Sequence, residues 1–261
     1  MMSDDRRPST GAHPEGEKHP VGAGVLALLR DNKLVVAAAV AVVVFTVLLE
    51  DVLEGDLIRL DEAAYWLIVQ HLRFDWLTPV MTSISALATP VALLVLLLVV
   101  AAFAPGRRPG FMCAVNLALV VALNQLLKFC IQRPRPEGFR LAAVTGFSFP
   151  SGHSMVAMAF FGLLAWFVWR YERDRLMKWL CCAGFALVIV LVGISRIYLG
   201  VHYASDVVAG FCVSLAWLAF FTRVAAPLFL GPPPARAVGG GPAEKDVVDG
   251  YATSEAGEGG R

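Results

Sequence analysis

Charged residues are scarce in this chain of 261 residues. Asp, Glu, Lys and Arg make up only 16% of it, whereas hydrophobic residues make up 57% and the mean hydropathy is +0.66. This balance excludes an ordinary soluble domain, in which about a quarter of the residues are charged. The formal net charge of +1 provides no bulk attraction for nucleic acid. The sequence therefore predicts an all-α, polytopic membrane protein.

The cysteine spacing of a zinc site is also missing. Five cysteines lie in or beside apolar stretches, without a CxxC or Cys/His pattern: Cys113, Cys130, Cys181, Cys182 and Cys212. Close to Met1 there is no short apolar core followed by a small-residue cleavage site, so no removable signal peptide is predicted. We expect packing cysteines, no metal site and no cofactor.

Long apolar runs are what the chain has in abundance. There are six: Leu34 to Leu49, Leu87 to Ala104, Phe111 to Leu127, Met155 to Trp169, Trp179 to Ile194, and Val207 to Thr222. Each is near the lower end of the roughly 17–25 residues that span a bilayer, so flanking residues must complete the spans. The uncharged stretch Thr78 to Ser85 precedes Pro90, so the second span can begin early and kink there. Six transmembrane helices are predicted.

The segments between and beyond these runs differ in composition. Leu57 to Leu77 interleaves charged residues with Leu, Ile, Val, Tyr and Trp, a pattern typical of an amphipathic helix in the membrane interface. The ends are rich in Pro, Gly and charge, which predicts disordered tails. We divide the chain into a cytoplasmic tail at 1–33, a first span with its outer amphipathic segment at 34–76, a transmembrane core at 77–228 and a cytoplasmic tail at 229–261.

Lys and Arg in the short connections predict the orientation. They precede the first span at Arg30 and Lys33, lie between the second and third spans, and lie between the fourth and fifth spans, which assigns these three places to the cytoplasm. The acidic cluster after the first span is then a solvated outer loop. We expect an integral protein of a bacterial inner (plasma) membrane with both termini in the cytoplasm. By the parity of six spans, the polar clusters described next all lie on the extracytoplasmic side.

The cluster from Ser195 to Asp206 carries a histidine and a carboxylate. If the sixth helix begins near Val201, His202 and Asp206 lie four residues apart on one face, so the carboxylate can fix the tautomer of the ring. The other ring nitrogen is then able to attack. Arg196 adds a cation six residues before the histidine.

A second cluster, Pro150 to His153, precedes the fourth apolar run. Ser151 can cap that helix, and Gly152 leaves room for an anion against the backbone amides, with His153 at the mouth of the anion site. Ordinary capping by Ser151 and a polar interfacial role for His153 are the alternatives.

The third cluster supplies more positive charge. Lys128 ends an apolar run, where lysine commonly snorkels toward water. Arg135 stands between two prolines, a restricted backbone that suits a fixed fork for phosphate oxygens. Arg133 offers a competing register. Asn124 either lines the same cavity or makes an interhelical hydrogen bond.

In order and internal spacing, these three clusters resemble the signature of the type 2 phosphatidic acid phosphatase superfamily of membrane lipid phosphate phosphatases. The resemblance covers roughly residues 77 to 228 and implies a six-helix core, a metal-independent mechanism and an outward-facing site. It implies that His202 is a nucleophile forming a phosphohistidine, that Asp206 orients it and that His153 protonates the leaving group. It also implies five phosphate-binding residues: Lys128, Arg135, Ser151, Gly152 and Arg196.

The predicted function is removal of phosphate from a lipid phosphate or diphosphate in the bilayer, of the isoprenyl (for example undecaprenyl) diphosphate or phosphatidate type. Three fixed cations can stabilise a transferring phosphoryl group without a metal. One alternative passes the phosphoryl group to another lipid or sugar acceptor. Another is a transporter or non-catalytic scaffold, which charges concentrated at one interface disfavour. No nucleic acid or protein partner is expected.

Overall fold

The computed structural model describes residues 32–55, 59–104, 106–138 and 140–230. All regular structure in these ranges is helical, which confirms the predicted all-α class. The helices are α1 (Lys33–Glu54), α2 (Arg59–Ala64) with a π-helical continuation (Tyr65–His71), α3 (Leu77–Ala86), α4 (Pro90–Phe103), α5 (Arg108–Ile131), α6 (Gly152–Tyr171), α7 (Arg175–Tyr198) and α8 (Ala204–Leu230). The predicted tails fall almost entirely outside the described residues.

Within the described ranges, five helices are long and apolar enough to cross a membrane, and a bent pair completes the predicted six spans. The pair is α3 and α4, which meet at an angle of 57°. Pro90 is the first residue of α4, and the Thr89 side chain before it accepts the Ala92 N–H at 3.5 Å. A proline disfavours helical conformation in the residue before it, so α3 ends and a new helix begins.

Helix α8 begins three residues later than predicted, at Ala204 rather than near Val201. The Asp206 carboxylate accepts the backbone N–H of Tyr203 at 3.0 Å, which is half of a capping box and fixes the start of the helix. His202 therefore precedes α8 in a turn, instead of standing on its first helical face.

Helix α6 forms the centre of the bundle and packs against α5, α7 and α8, while α1 packs against α8. Met155, Phe160 and Leu163 of α6 are completely buried. Asn116 inside the bundle is paired on both sides, as an apolar surrounding requires. Asn116 donates to the Ala159 carbonyl at 2.8 Å and accepts from Trp217 Nε1 at 2.9 Å. The large apolar side chains left exposed on the spans are those expected to face lipid.

The predicted interfacial segment is helical from Arg59 to His71 and exposes large apolar side chains, including Tyr65 and Trp66. Beyond it, Arg73 donates from Nη2 to the Tyr198 carbonyl at 2.7 Å, which ties the segment to the end of α7. One of its charged residues departs from the amphipathic pattern. Asp61 is buried, with 4% of its surface exposed.

Candidate active site

A cavity of about 760 Å³ opens where α5 and α7 end and α6 and α8 begin. Residues of all three sequence clusters line it: Lys128, Arg135, Gly152, His153, Arg196 and His202. The two remaining predicted residues, Ser151 and Asp206, are completely buried directly behind this lining. Clusters separated by up to 78 positions in sequence thus converge on one site.

His202 lies between a carboxylate and a guanidinium. Its Nδ1 is 3.2 Å from Asp206 Oδ2, and its Nε2 is 3.2 Å from Arg135 Nη1. A guanidinium can only donate, so Nε2 accepts and the ring proton is on Nδ1, where it is donated to Asp206. The network therefore assigns the tautomer in which Nε2 carries a lone pair at the cavity.

The imidazole of His202 is held neutral. Burial lowers the pKa of His202 to about 4, and the positive charges of Arg196 and Arg135 act in the same direction, while the hydrogen bond and charge of Asp206 oppose them. The lone pair on Nε2 is consequently present at neutral pH.

Arg135 is fixed by the backbone around it. Nη1 donates to the Val201 carbonyl at 2.9 Å, Nε to the Gly146 carbonyl at 3.0 Å and Nη2 to the Thr145 carbonyl at 3.2 Å. Burial lowers the pKa of Arg135, but a guanidinium stays charged at neutral pH. The side chain is a pre-oriented cation beside Nε2 of His202.

Two further cations approach the cavity from the ends of α5 and α7. Lys128 Nζ donates to the Phe147 carbonyl at 2.9 Å. Arg196 donates from Nη1 to Ser85 Oγ at 2.5 Å, and its Nε is one of two buried side-chain nitrogens without a hydrogen-bond partner in the described part of the chain. A buried donor of this kind is costly unless an acceptor meets it, and an anion oxygen would.

The start of α6 contributes glycine, histidine and backbone amides. Ser151 stands at the cap position but makes no cap hydrogen bond; its hydroxyl instead accepts from Ser154 Oγ at 3.0 Å, contrary to the capping that the sequence allowed. The helix therefore keeps its first amides uncapped by Ser151, as an anion site requires. A Cβ on Gly152 would lie 2.9 Å from Asn124 Oδ1, so a larger residue here would displace the Asn124 side chain.

The two interpretations of Asn124 both hold. Its side chain lines the cavity, and its Nδ2 donates to Met155 Sδ of α6 at 3.1 Å and to the Pro150 carbonyl before α6, also at 3.1 Å. The amide is therefore held in place beside Gly152.

Arg133, the alternative to Arg135 as the phosphate-binding arginine, lies outside the cavity. Arg133 is absent from the cavity lining and donates from Nη1 to Asp206 Oδ1 at 2.7 Å and from Nη2 to Asp61 Oδ2 at 3.0 Å. Arg133 thus contacts the carboxylate of the hydrogen-bonded pair Asp206 and His202, and Arg135 contacts its imidazole. The sequence did not single out Asp61, since nothing in the pattern separates it from the neighbouring Glu62.

A larger groove, of about 840 Å³, lies at the other end of α6. It is lined mainly by apolar side chains, with Arg107, Arg108 and Glu172 at its edge and no histidine. It lacks a nucleophile and a fixed cluster of cations, so the chemistry is assigned to the smaller cavity.

This chain is similar to known lipid phosphatases. The model of the PAP2 superfamily matches residues 110–229. Phosphatidylglycerophosphatase B of Bacillus subtilis is 38% identical over 157 residues, which cover 58% of this chain and 75% of the relative. Human dolichyldiphosphatase 1 is 37% identical over 129 residues, covering 44% of this chain and 53% of the relative. The lipid A 1-phosphatase of Rhizobium johnstonii is 34% identical over 112 residues, covering 39% and 41%.

Two crystal structures share the fold. A transmembrane PAP2 type phosphatidylglycerolphosphate phosphatase from Bacillus subtilis superimposes with a TM-score of 0.66 at 29% identity, over 75% of this chain and 98% of the other. LpxE of Aquifex aeolicus superimposes with a TM-score of 0.50 at 24% identity, over 60% and 92%, and shows likeness of fold alone.

Proposed function

The chain belongs to the PAP2 superfamily, and from that premise we propose that it is a membrane enzyme that hydrolyses the phosphate of a lipid phosphate or diphosphate. The proposal rests on the tautomer and the hydrogen bonds of His202. Its Nε2 holds a lone pair in a cavity that cations surround, while Nδ1 is bound to a buried carboxylate. That arrangement is the one a nucleophilic histidine needs.

In the first step, Nε2 of His202 attacks phosphorus and the bond from phosphorus to the leaving oxygen breaks on the opposite side. The leaving oxygen takes a proton from His153, which lines the same cavity. Asp206 stabilises the positive charge that develops on His202.

In the second step, water attacks the phosphohistidine. His153 accepts a proton from that water, the bond between nitrogen and phosphorus breaks, and inorganic phosphate and neutral His202 are formed. His153 thus donates a proton in the first step and accepts one in the second.

Charge stabilisation in both steps falls to the fixed cations. Lys128, Arg135 and Arg196 line the cavity and would bind the equatorial oxygens, together with the Ser151 hydroxyl and the Gly152 amide at the start of α6. In many phosphoryl-transfer enzymes magnesium carries part of this task. Here three side chains can supply the charge, so we propose a metal-independent reaction.

The proposed substrate is a lipid, either an isoprenyl diphosphate or a glycerolipid phosphate. The cavity lies at helix ends, near headgroup level, and apolar residues from Leu141 to Val144 line it beside the cations. A lipid can therefore place its phosphate in the site while its chain stays in hydrocarbon. The named relatives act on lipids of both kinds. The positive-inside pattern of the connections favours an extracytoplasmic site.

Release of inorganic phosphate by the purified protein tests this proposal. The panel contains an isoprenyl diphosphate, a phosphatidate, a phosphatidylglycerophosphate and glycerol phosphate, each with and without a chelator of divalent cations. We expect hydrolysis of lipid substrates that survives chelation and is inhibited by vanadate, which mimics the trigonal bipyramidal transition state. His202→Ala should be inactive, and the matched control His71→Ala, at an exposed histidine outside the cavity, should be active.

Two variations of the same assay test how the substrate reaches the site and whether water is the acceptor: the chain length of the lipid is changed, and a lipid or sugar acceptor is added. Each buried methylene contributes about 0.8 kcal/mol to partitioning, so kcat/KM for one headgroup should rise with chain length. A flat series would contradict access through the membrane. Product phosphate that falls when a lipid or sugar acceptor is added would indicate a phosphotransferase instead, and no turnover of any lipid would indicate a transporter or scaffold.

A further inference from the structure

Asp61 belongs to the interfacial segment, yet its carboxylate is bound inside the protein. Oδ1 accepts the backbone N–H of Ser205 at 2.7 Å, and Oδ2 accepts the Ser205 hydroxyl at 2.7 Å and Arg133 Nη2 at 3.0 Å. A carboxylate at the first turn of a helix satisfies a free N–H and interacts favourably with the helix dipole. Asp61 therefore holds the start of α8 one residue from Asp206.

Arg133 links this carboxylate to the catalytic pair. Its Nη1 donates to Asp206 Oδ1 at 2.7 Å, so one guanidinium is shared by two carboxylates. The side chains are 10% exposed for Arg133, 1% for Asp61 and 0% for Asp206. Arg133 also lies over the ring of Tyr203, 4.1 Å from its centroid. Arg133, Asp61 and Asp206 cannot turn without losing a charged hydrogen bond.

The consequence for Asp206 is a fixed orientation. Oδ1 is held by Arg133, and Oδ2 accepts from the Tyr203 N–H and from His202 Nδ1. The charge of Asp61 also matters, because buried charges at these distances are weakly screened. Without it, Arg133 would pair with Asp206 alone, and Asp206 would stabilise the positive charge on His202 less during attack.

We infer that Asp61 is a positioning residue of the reaction, which acts through Arg133 and Ser205 to hold Asp206 against His202. The inference rests on the proposed function. It makes the interfacial segment part of the catalytic apparatus, since the same short helix exposes Leu60 on its surface and inserts Asp61 into the network.

The test compares wild type, Asp61→Asn and the matched control Glu62→Gln with a lipid phosphate in detergent micelles. Asparagine keeps the shape of Asp61 and an acceptor for Ser205 but removes the charge. We expect kcat of Asp61→Asn to fall by about tenfold, which is the lower end of the loss seen when residues that orient the ligands of a catalytic metal are replaced. KM and the inhibition constant of vanadate should stay near wild type, because the cavity cations do not contact Asp61. Glu62 is exposed on the same helix, so Glu62→Gln should match wild type.

The outcomes separate this inference from the proposed function. Wild type that hydrolyses no lipid phosphate overturns both. An active wild type with an equally active, folded Asp61→Asn overturns the positioning role alone. A raised KM with unchanged kcat also overturns it, because Asp61 would then shape the phosphate cavity.

A second variant covers the case in which Asp61→Asn does not fold. Ser205→Ala removes one hydroxyl from the network and keeps both ion pairs. The hydroxyl donates to Asp61 Oδ2 and accepts from Arg133 Nη1, both at 2.7 Å. Two hydrogen bonds are lost in this variant, so its kcat should fall by at least about threefold at unchanged KM. Wild-type kcat for Ser205→Ala would refute the proposed network.

Discussion

Replacing Asp206 by asparagine should stop the reaction while leaving the cavity cations in place. The carboxylate accepts from Arg133 at Oδ1 and from Tyr203 and His202 at Oδ2. An amide has only one oxygen. If that oxygen takes the Oδ2 position, its NH₂ faces the guanidinium of Arg133. If it takes the Oδ1 position, its NH₂ faces the N–H of Tyr203 and the ring of His202.

Each arrangement has a defined energetic result. A buried donor left without an acceptor costs about 1–3 kcal/mol, so the unfolding free energy should fall by about that amount. In the second arrangement His202 must accept at Nδ1, so its proton moves to Nε2 and meets Arg135, which also donates. No lone pair then faces phosphorus. A catalytic histidine held in the wrong tautomer loses about 10⁴-fold in kcat in a serine protease, and we expect a loss of about 10³-fold or more in this arrangement. The first arrangement keeps the tautomer but removes the carboxylate charge that stabilises His202 during attack, so kcat should fall there by a smaller factor.

The assay measures phosphate release and thermal unfolding of the same Asp206→Asn preparation. The inhibition constant of vanadate serves as the control, because Lys128, Arg135 and Arg196 remain and should still bind an anion. A folded Asp206→Asn protein with kcat comparable to wild type would refute the role of the Asp206 carboxylate in the reaction.

Four further experiments test the cavity residues and the membrane orientation. His153→Ala should slow hydrolysis of an alkyl phosphate much more than of a nitrophenyl phosphate, whose leaving group needs no proton; equal losses would contradict its role as an acid. The pKa of His202, about 4 in the folded protein against an ordinary 6.5, means that the unfolded chain binds more protons between these values. Stability should therefore fall as pH drops from about 6.5 towards 4, and His202→Gln should lose that part of the slope in thermal unfolding. Gly152→Ala should cost about 1–3 kcal/mol and raise KM, because its Cβ would meet the Asn124 side chain at 2.9 Å. In a background without native cysteines, an impermeant thiol reagent should label a cysteine placed at Gly138 in intact cells but not one at Glu172; the reverse pattern would overturn the orientation.

Features that depend on local sequence could be predicted. Apolar runs gave the spans, and the proline at Pro90 marked the break between α3 and α4. The four-residue separation of His202 and Asp206 predicted their hydrogen bond, even though the helix begins only at Ala204. Two residues four apart stay close both in a helix and in the capped turn that precedes one.

Contacts between distant segments could not be predicted in this way. Arg133 and Arg135 are both arginines before proline, and only the fold shows that one reaches Asp206 and the other His202. Asp61 looked like one of several charges on an interfacial helix. Its burial is set by α8, whose first turn presents a free N–H at Ser205. Patterns along one segment carry no information about a partner 144 residues away.

Phosphorylation of His202 during turnover is the event that distinguishes the proposed mechanism. Wild-type protein is mixed with a lipid phosphate labelled in its phosphate, quenched with alkali within milliseconds, digested and analysed by mass spectrometry. We expect an acid-labile, alkali-stable phosphate on the peptide that contains His202. It should be absent from His202→Ala and enriched in His153→Ala when the leaving group is a nitrophenol. Rapid turnover with no phosphorylated histidine at any quench time, or with the label on another residue, would contradict it.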